Sequence, residues 1–270
     1  MIARLRLYSV VFILAIVTLS LIPIQFVALK FNLGIARKIP MLWHKIATKL
    51  VGLNIRVTGK IPNARPLMIV SNHISWMDIP ILGSLMELSF IAKSEVNEMA
   101  GANFLSRLQR TIFIVREQKR KAGKQAQEIT QRMLDGDAIV LFGEGTTHDG
   151  NRIGTFKSAL LGAAQFAVAD EAVESVLIQP VSIAYTKLHG MPMGRYTRTK
   201  AAWYGDMQLG GHAFNIMLQS AWDVEVVFGE PIAFDENSNR RHITKEVQTQ
   251  IRNNFINKLH QRQNDIIEVE

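Results

Sequence analysis

A histidine and an aspartate five residues apart interrupt the apolar stretch Pro66–Leu82. His73 follows the run Leu67–Ser71 after one asparagine, Asn72, and Asp78 comes five positions later. A carboxylate that bonds one imidazole nitrogen fixes the tautomer, and the other nitrogen can then take a proton from a hydroxyl group. The pair therefore has the composition of a general base. The alternative is that Asn72, His73 and Asp78 only cap a turn between a strand and a helix.

The same spacing occurs a second time, at His260 and Asp265, so the spacing alone carries little information. The second pair falls in a polar stretch near the carboxyl terminus, where we expect no pocket. His73, in contrast, follows a short apolar strand. The carboxyl ends of strands in an open α/β sheet form the edge at which ligands bind. The setting, and not the spacing, makes His73 the candidate base.

A second polar segment follows another apolar strand. The run Ala138–Phe142 leads into Gly143–Gly150, in which two glycines flank Glu144. Glycines allow a ligand to approach the backbone closely, although a glycine-rich turn also makes an ordinary loop. We expect Glu144 to lie at the same edge of the sheet as His73.

The elements that must position these residues alternate between short β-branched strands and helical stretches. The predicted strands are Ile55–Gly59, Leu67–Ser71, Ser89–Ala92, Thr111–Val115, Ala138–Phe142, Val176–Tyr185 and Asp223–Phe228. The predicted helices are Lys119–Leu134, Phe156–Ala169 and a charged final helix from about Ile243 to Gln263. This alternation predicts an α/β fold, a mixed sheet flanked by helices.

The amino terminus has a different character. Between Arg6 and Lys30 lie 23 residues without a charged side chain. As a helix they would extend about 35 Å, enough to cross a hydrocarbon core of about 30 Å. A cleaved signal peptide is the alternative, but the apolar run is longer than the apolar region of a typical signal peptide, and no small-residue cleavage site closes it. Basic residues on both sides and Pro23 within the run leave open whether it crosses the bilayer or enters one leaflet.

The stretch Ile39–Val51 is predicted to form an interfacial helix, with apolar residues on one side and Lys45 and Lys49 on the other. A core helix with a solvated basic edge is the alternative. We therefore divide the chain into a membrane anchor with an interfacial helix, residues 1–51, and a catalytic domain, residues 52–270.

Composition excludes several classes of site. The net charge of +8 indicates an anionic partner. The chain has no cysteine, which rules out thiolate catalysis and cysteine-ligated metal. It also lacks a phosphate-binding P-loop, a serine nucleophile elbow and a zinc-binding H-E-x-x-H motif. No aromatic-interleaved basic strand indicates RNA binding, so we expect no nucleic-acid partner.

Four blocks of residues, in order between positions 72 and 181, resemble the glycerolipid acyltransferases typified by bacterial 1-acylglycerol-3-phosphate acyltransferase. The ordered set is far more specific than any one block. The blocks are Asn72–Asp78; Lys93-Ser94-Glu95 with Gly101 and Ile112–Arg116; Phe142–Thr147 with Phe156-Lys157 downstream; and Val176–Val181.

The resemblance implies transfer of a fatty acyl group from a thioester, acyl-CoA or acyl carrier protein, to a hydroxyl of a lysolipid. His73 would be the general base and Asp78 its orienting partner, with no metal and no further cofactor. Membrane lipids would be partners, at the bacterial inner membrane with the active site facing the cytoplasm. The resemblance places these residues in acceptor binding: Asn72, Lys93, Arg116, Glu144, Gly145, Thr146, Thr147 and Lys157.

Two positions depart from the family pattern. Gly143 replaces a proline, and Thr147 replaces an arginine that is expected to pair with the acceptor phosphate. A threonine cannot supply the bidentate charged fork of arginine, although Arg116, Lys93 or Lys157 could compensate. The continuation from Thr147 to Arg152 resembles relatives that acylate lyso-ornithine lipid, which carries no phosphate.

These observations indicate three functions for the protein, of which the first is the one we expect most. The leading one is acylation of 1-acyl-glycerol-3-phosphate at the sn-2 hydroxyl to give phosphatidic acid. The alternative is O-acylation of lyso-ornithine lipid by the same mechanism. The more distant one is a non-catalytic protein that binds membrane lipid, against which the intact Asn72, His73 and Asp78 argue.

Overall fold

The helices and strands of the protein follow from a computed structural model that describes residues 1–94, 102–114, 119–169 and 173–267. The helices are α1 Ile2–Lys30, α2 Ile35–Val51, α3 Asp78–Leu85, α4 Ala102–Leu108, α5 Lys119–Leu134, α6 Gly162–Ala169, α7 Arg195–Arg198, α8 Leu209–Gln219 and α9 Arg240–Ile267. The strands are β1 Leu53–Thr58, β2 Leu67–Ser71, β3 Ser89–Lys93, β4 Ile112–Ile114, β5 Ala138–Phe142, β6 Val176–Leu188, β7 Met191–Pro192, β8 Trp222–Phe228 and β9 Ile232–Phe234.

The strands form one mixed sheet in the order β1-β8-β6-β2-β5-β3-β4, with β7 and β9 paired to β6. Strand β2 is central and runs parallel to both neighbours, β5 and β6. Every residue of β2 and β5 is buried, as expected for parallel strands covered on both faces. The prediction of a mixed α/β sheet flanked by helices is confirmed.

The predicted bounds of β2, β5 and α5 coincide with the observed ones. The predicted helix Phe156–Ala169 begins later, as a 3-10 turn over Ser158–Leu161 that leads into α6. The backbone before it is extended, with φ of −93° and ψ of 109° at Lys157, and contacts with other elements hold it so. The N–H of Phe156 donates to Gln248 on α9, and the N–H of Lys157 donates to the carbonyl of Gly143.

The register of β2 against β5 brings the two polar segments together. Ser71 lies opposite Phe142 in the parallel ladder, and the N–H of Gly143 continues the pairing by donating to the carbonyl of Ser71 at 2.9 Å. His73 and Glu144 each lie two residues beyond this pair. Both strands therefore deliver their first functional side chain to the same edge of the sheet.

The amino-terminal helix α1 has the length and apolar composition of a membrane-crossing helix, with a mean hydropathy of 2.6 and little buried surface. It is nevertheless hydrogen-bonded to the α/β domain near both ends. Arg6 donates to the carbonyl of Met217 on α8 at 2.8 Å, and Gln25 donates to the carbonyl of Leu108 on α4 at 2.6 Å. These anchor points are about 28 Å apart along a helix. Helix α1 therefore lies along the domain.

Helix α2 follows α1 after a short turn and packs against α1 and α3. Its buried side includes Ile39, Ala47 and Val51, while Lys45 and Lys49 are exposed. One side thus packs against the domain, and the basic residues face outward. The observed pattern fits the alternative of a core helix with a basic edge as well as it fits an interfacial helix.

Candidate active site

His73 and Asp78 form a hydrogen-bonded pair at the carboxyl end of β2. The Nδ1 atom of His73 lies 2.8 Å from Oδ2 of Asp78. The carboxylate is fully buried, whereas the His73 side chain keeps 16% of its surface exposed. Because Nδ1 is engaged, Nε2 is the nitrogen that can exchange a proton with a substrate hydroxyl.

The turn between β2 and α3 is folded around the Asp78 carboxylate. Its Oδ2 atom also accepts the backbone N–H groups of Ile74 at 2.7 Å and Ser75 at 2.9 Å. Asp78 is the first residue of α3, where the positive end of the helix dipole favours a negative charge. From the sequence, capping of the turn and orientation of His73 are alternative roles for Asp78. In the structure, the same carboxylate accepts hydrogen bonds from the turn and contacts the imidazole.

Tyr185 is a member of this network that sequence reasoning missed. It lies within β6, has no exposed surface, and its hydroxyl donates to Oδ1 of Asp78 at 2.7 Å. Burial and the charge of Asp78 raise the pKa of Tyr185 well above its usual value, so the hydroxyl keeps its proton and acts as the donor. A tyrosine in a buried strand gives no signal in a sequence that separates it from a packing residue.

Glu144 joins the ends of β2 and β5. Its Oε2 atom accepts the backbone N–H of His73 at 2.7 Å, and its Oε1 atom accepts the N–H of Gly154 at 2.6 Å. Burial raises the pKa of Glu144 from 4.5 to about 7, against the opposing effect of these two hydrogen bonds. The His73 carbonyl in turn accepts the N–H of His148 at 3.0 Å. The loop after β5 thus holds the backbone of His73 from both sides.

The ring of His73 stacks on the ring of Phe142, with centroids 3.7 Å apart and planes 9° from parallel. Phe142 is the last residue of β5 and fixes the plane of the imidazole. The next residue, Gly143, has no room for a side chain, because a Cβ atom there would lie 2.3 Å from the Phe156 ring. The proline of the family pattern would meet the same ring and would lose the N–H that Gly143 donates to Ser71.

The other residues expected in acceptor binding differ in position. Asn72 is fully buried, and its amide exchanges two hydrogen bonds with the backbone of Ile183, at 3.0 and 2.8 Å. Gly145 forms a turn with φ of 71°, a conformation that favours glycine. Thr146 is exposed and Thr147 is half-buried on the loop that follows.

Three basic residues were expected beside the acceptor. The exposed Lys157 is tied to this edge through the hydrogen bond from its backbone N–H to the carbonyl of Gly143. The backbone of Lys93 ends β3, although its side chain lies outside the described part. Arg116 lies outside the described residues altogether.

An open groove of about 800 Å³ adjoins the loop after β5, and we call it the basic groove. It is lined by Asp149, Asn151, Arg152, Arg195, Arg198 and His260, among others. The expectation that His260 has no pocket is therefore wrong. Helix α9 packs along β6, which brings the end of this polar helix beside the loop that follows Glu144. That long-range contact is invisible in the local sequence.

The sequence of the chain is similar to a family model and to proteins of known name. A family model described as Acyltransferase matches residues 54–184. Lyso-ornithine lipid O-acyltransferase of Brucella abortus is 44% identical over 252 residues, which cover 93% of this chain and 94% of that protein. The lyso-ornithine lipid O-acyltransferase of Rhizobium meliloti is 42% identical over 92% of this chain and 85% of that protein.

A solved structure shows the same fold. The 1-acyl-sn-glycerophosphate acyltransferase PlsC of Thermotoga maritima aligns with a TM-score of 0.57 at 22% identity, over 90% of this chain and 95% of that chain. At this identity the likeness concerns the fold alone. The near full-length relatives and the family model lead to one conclusion: the chain belongs to the acyltransferase family.

Proposed function

We propose that this acyltransferase transfers a fatty acyl group from acyl-CoA or acyl carrier protein to the hydroxyl of lyso-ornithine lipid. The observation that carries this choice of acceptor is the similarity, over more than nine-tenths of the chain, to two relatives that bear this name. Acylation of 1-acyl-glycerol-3-phosphate, the leading expectation from sequence blocks, has less support. A structural neighbour of that name shares only 22% identity.

The chemistry of the loop after β5 points in the same direction. Thr147 stands where a phosphate-binding arginine is expected, and it is half-buried on this loop. A phosphate monoester needs charged, bidentate donors, and a threonine hydroxyl offers one neutral donor. Lyso-ornithine lipid has no phosphate, so the loss of the arginine removes nothing that this acceptor requires.

In the proposed reaction, Nε2 of His73 takes the proton of the acceptor hydroxyl as its oxygen attacks the thioester carbonyl. The tetrahedral intermediate then collapses, the carbon–sulfur bond breaks, and the imidazolium returns the proton to the leaving thiolate. The buried Asp78 carboxylate, 2.8 Å from Nδ1, stabilises the imidazolium between these steps. No acyl-enzyme is needed because a thioester is already activated.

Asn72 and Glu144 have positioning roles in this proposal. Asn72 fixes the end of β2 to β6, and Glu144 fixes the backbone of His73 to the loop after β5. Neither side chain has free polar surface with which to bind a lipid. Among the described residues expected in acceptor binding, the loop Gly145–Thr147 and Lys157 keep side chains or backbone at this edge of the sheet that could contact the acceptor.

Helix α1 associates the protein with the membrane from which the acceptor comes. Because α1 is bonded to the domain near both ends, we propose that it enters one leaflet and lies against the domain. Its exposed side carries large apolar residues such as Phe12, Leu19 and Phe26. We place the active site on the cytoplasmic side of the inner membrane, where thioester donors are made.

The test is acyl transfer by purified protein in detergent, with lyso-ornithine lipid and with 1-acyl-glycerol-3-phosphate offered separately. Each acceptor is paired with labelled acyl-CoA and with acyl carrier protein. We expect ornithine lipid as the product, and its loss in the His73→Ala variant with the melting temperature retained. Absence of ornithine lipid with both donors would refute the acceptor, and wild-type turnover by His73→Ala would refute the mechanism.

A further inference from the structure

The basic groove is built onto the loop that carries the candidate base. The N–H of His148 donates to the carbonyl of His73, and Gly150, two residues later, fills the space between that turn and the groove. A Cβ atom at Gly150 would lie 3.1 Å from Ile74 and 3.5 Å from Arg198. Gly150 alone thus separates Arg198, in the basic groove, from Ile74, the residue that follows His73.

Arginine side chains give the groove its charge. Arg198 is held rigidly, because its guanidinium donates to Oδ1 of Asn151 at 2.7 Å and to the carbonyl of Met193 at 3.1 Å. It is only 9% exposed, and its Nε atom is buried without a hydrogen-bond partner among the described residues. Arg152 and Arg195 are exposed in the same groove. Together these guanidinium groups suit a carboxylate, which they can bind in a fork geometry.

Among the described residues that line the groove, one carries a carboxylate. Asp149 is half-buried and is held by Asn151, whose backbone N–H donates to Oδ1 at 3.0 Å and whose amide donates to Oδ2 at 3.4 Å. These bonds leave lone pairs on both oxygens for a cationic ligand. The three arginines attract any anionic group, and Asp149 adds the negative charge that an ammonium group on the same ligand can pair with.

We propose that the basic groove binds a zwitterionic amino-acid headgroup, with the arginines on its α-carboxylate and Asp149 on its side-chain ammonium. The proposal rests on lyso-ornithine lipid as the acceptor, since the ornithine headgroup carries one free carboxylate and one free ammonium. The groove would then hold the headgroup while the hydroxyl of the acyl chain reaches His73. Tyr196, 90% exposed, and Met191, 70% exposed, flank the groove residues and offer apolar contact to the lipid.

The experiment measures equilibrium binding in detergent without acyl donor, so that no turnover occurs. The probes are lyso-ornithine lipid, its Nδ-acetyl derivative and its methyl ester. The variants are Asp149→Asn and the double variant Arg152→Gln/Arg195→Gln. The buried Arg198 is not substituted, because its loss would change the conformation of the loop to which it is hydrogen-bonded. The exposed Arg252→Gln, two turns before the groove on α9, is the matched control.

We expect Asp149→Asn to weaken binding of lyso-ornithine lipid about tenfold and to leave binding of the Nδ-acetyl derivative unchanged. The double arginine variant should weaken binding of the parent lipid by a similar factor and not that of the methyl ester. Arg252→Gln should bind all probes like the wild type. Unchanged melting temperatures would show that the variants are folded.

Turnover of the same wild-type preparation separates two kinds of failure. If the wild type acylates lyso-ornithine lipid and every variant binds it with unchanged affinity, the groove assignment is wrong while the proposed function stands. If losses of affinity are equal for the charged and the blocked probes, the groove does not recognise those charges, and the inference is again overturned. If the wild type does not acylate this lipid, the proposed function fails and the groove assignment falls with it.

Discussion

Removal of the Tyr185 hydroxyl is the change that tests the hydrogen-bond network of the candidate active site most directly. In Tyr185→Phe the ring remains in its buried site and one oxygen atom is lost. That oxygen is the donor to Oδ1 of Asp78, whereas Oδ2 keeps the N–H groups of Ile74 and Ser75 and the His73 imidazole. The variant therefore removes one hydrogen bond from a buried carboxylate without disturbing the turn that surrounds it.

The expected size follows from the burial of Asp78, which has no exposed surface. A hydrogen bond to a charged group contributes about 1.5–3 kcal/mol. Loss of the Tyr185 donor therefore removes about that much stabilisation from the carboxylate that orients the imidazole. We expect kcat to fall about tenfold, because the imidazole is held less well.

The assay is acyl transfer between pH 5 and 9, together with thermal unfolding in the same detergent. Tyr8→Phe is the matched control, because Tyr8 is exposed on α1, and we expect it to behave as the wild type. KM for the acceptor should change little in Tyr185→Phe. A kcat that matches the wild type would show that this hydrogen bond does not support the candidate base.

Three further variants probe the elements that hold the site. The contribution of Glu144 to stability should decrease by up to about 3 kcal/mol as pH rises from 4.5 to 7, because burial raises its pKa from 4.5 to about 7 in the folded state. Over this range the melting temperature of the wild type should fall relative to that of Glu144→Gln, and a constant difference between the two would contradict this. Gly143→Ala should destabilise the fold by about 1–3 kcal/mol through its clash with Phe156, and a double variant with Phe156→Leu should lose less than the two single variants combined. Arg6→Gln should lower the melting temperature and speed trypsin cleavage near α1, because Arg6 donates hydrogen bonds to the carbonyls of Met217 and Val51. Substitution of the exposed Arg4 by Gln should do neither. Equal behaviour of the two variants would mean that Arg6 does not hold α1 against the domain.

The central strands could be predicted because their signal is local. The runs Leu67–Ser71 and Ala138–Phe142 are apolar, β-branched and followed by polar turns, and their observed bounds match. The meeting of His73 and Glu144 followed from placing both strands in one parallel sheet. In contrast, α8 and the short strands β7 and β9 were not predicted, because their sequences have no strong period and their structure depends on packing against the domain.

The parts of the site that escaped prediction come from long-range contacts. Tyr185 lies 107 positions from Asp78, and Asn72 is bonded to Ile183 across 111 positions. Both contacts depend on β6, which continues to Leu188, past the end of β2. Sequence reasoning expects no pocket at His260, because nothing in its own helix indicates the groove. Residue types indicated the candidate base and its partner, whereas the residues around them are brought together by the topology of the sheet.

The most direct test is a competition between acceptors. Purified protein receives equal concentrations of lyso-ornithine lipid and 1-acyl-glycerol-3-phosphate. The donor is acyl-CoA in one reaction and acylated acyl carrier protein in another, each with the label in its acyl chain. The His73→Ala variant serves as the blank, and the products are separated and counted. The account predicts that the label appears in ornithine lipid and that phosphatidic acid stays at the level of the blank. Label that accumulates mainly in phosphatidic acid would contradict it.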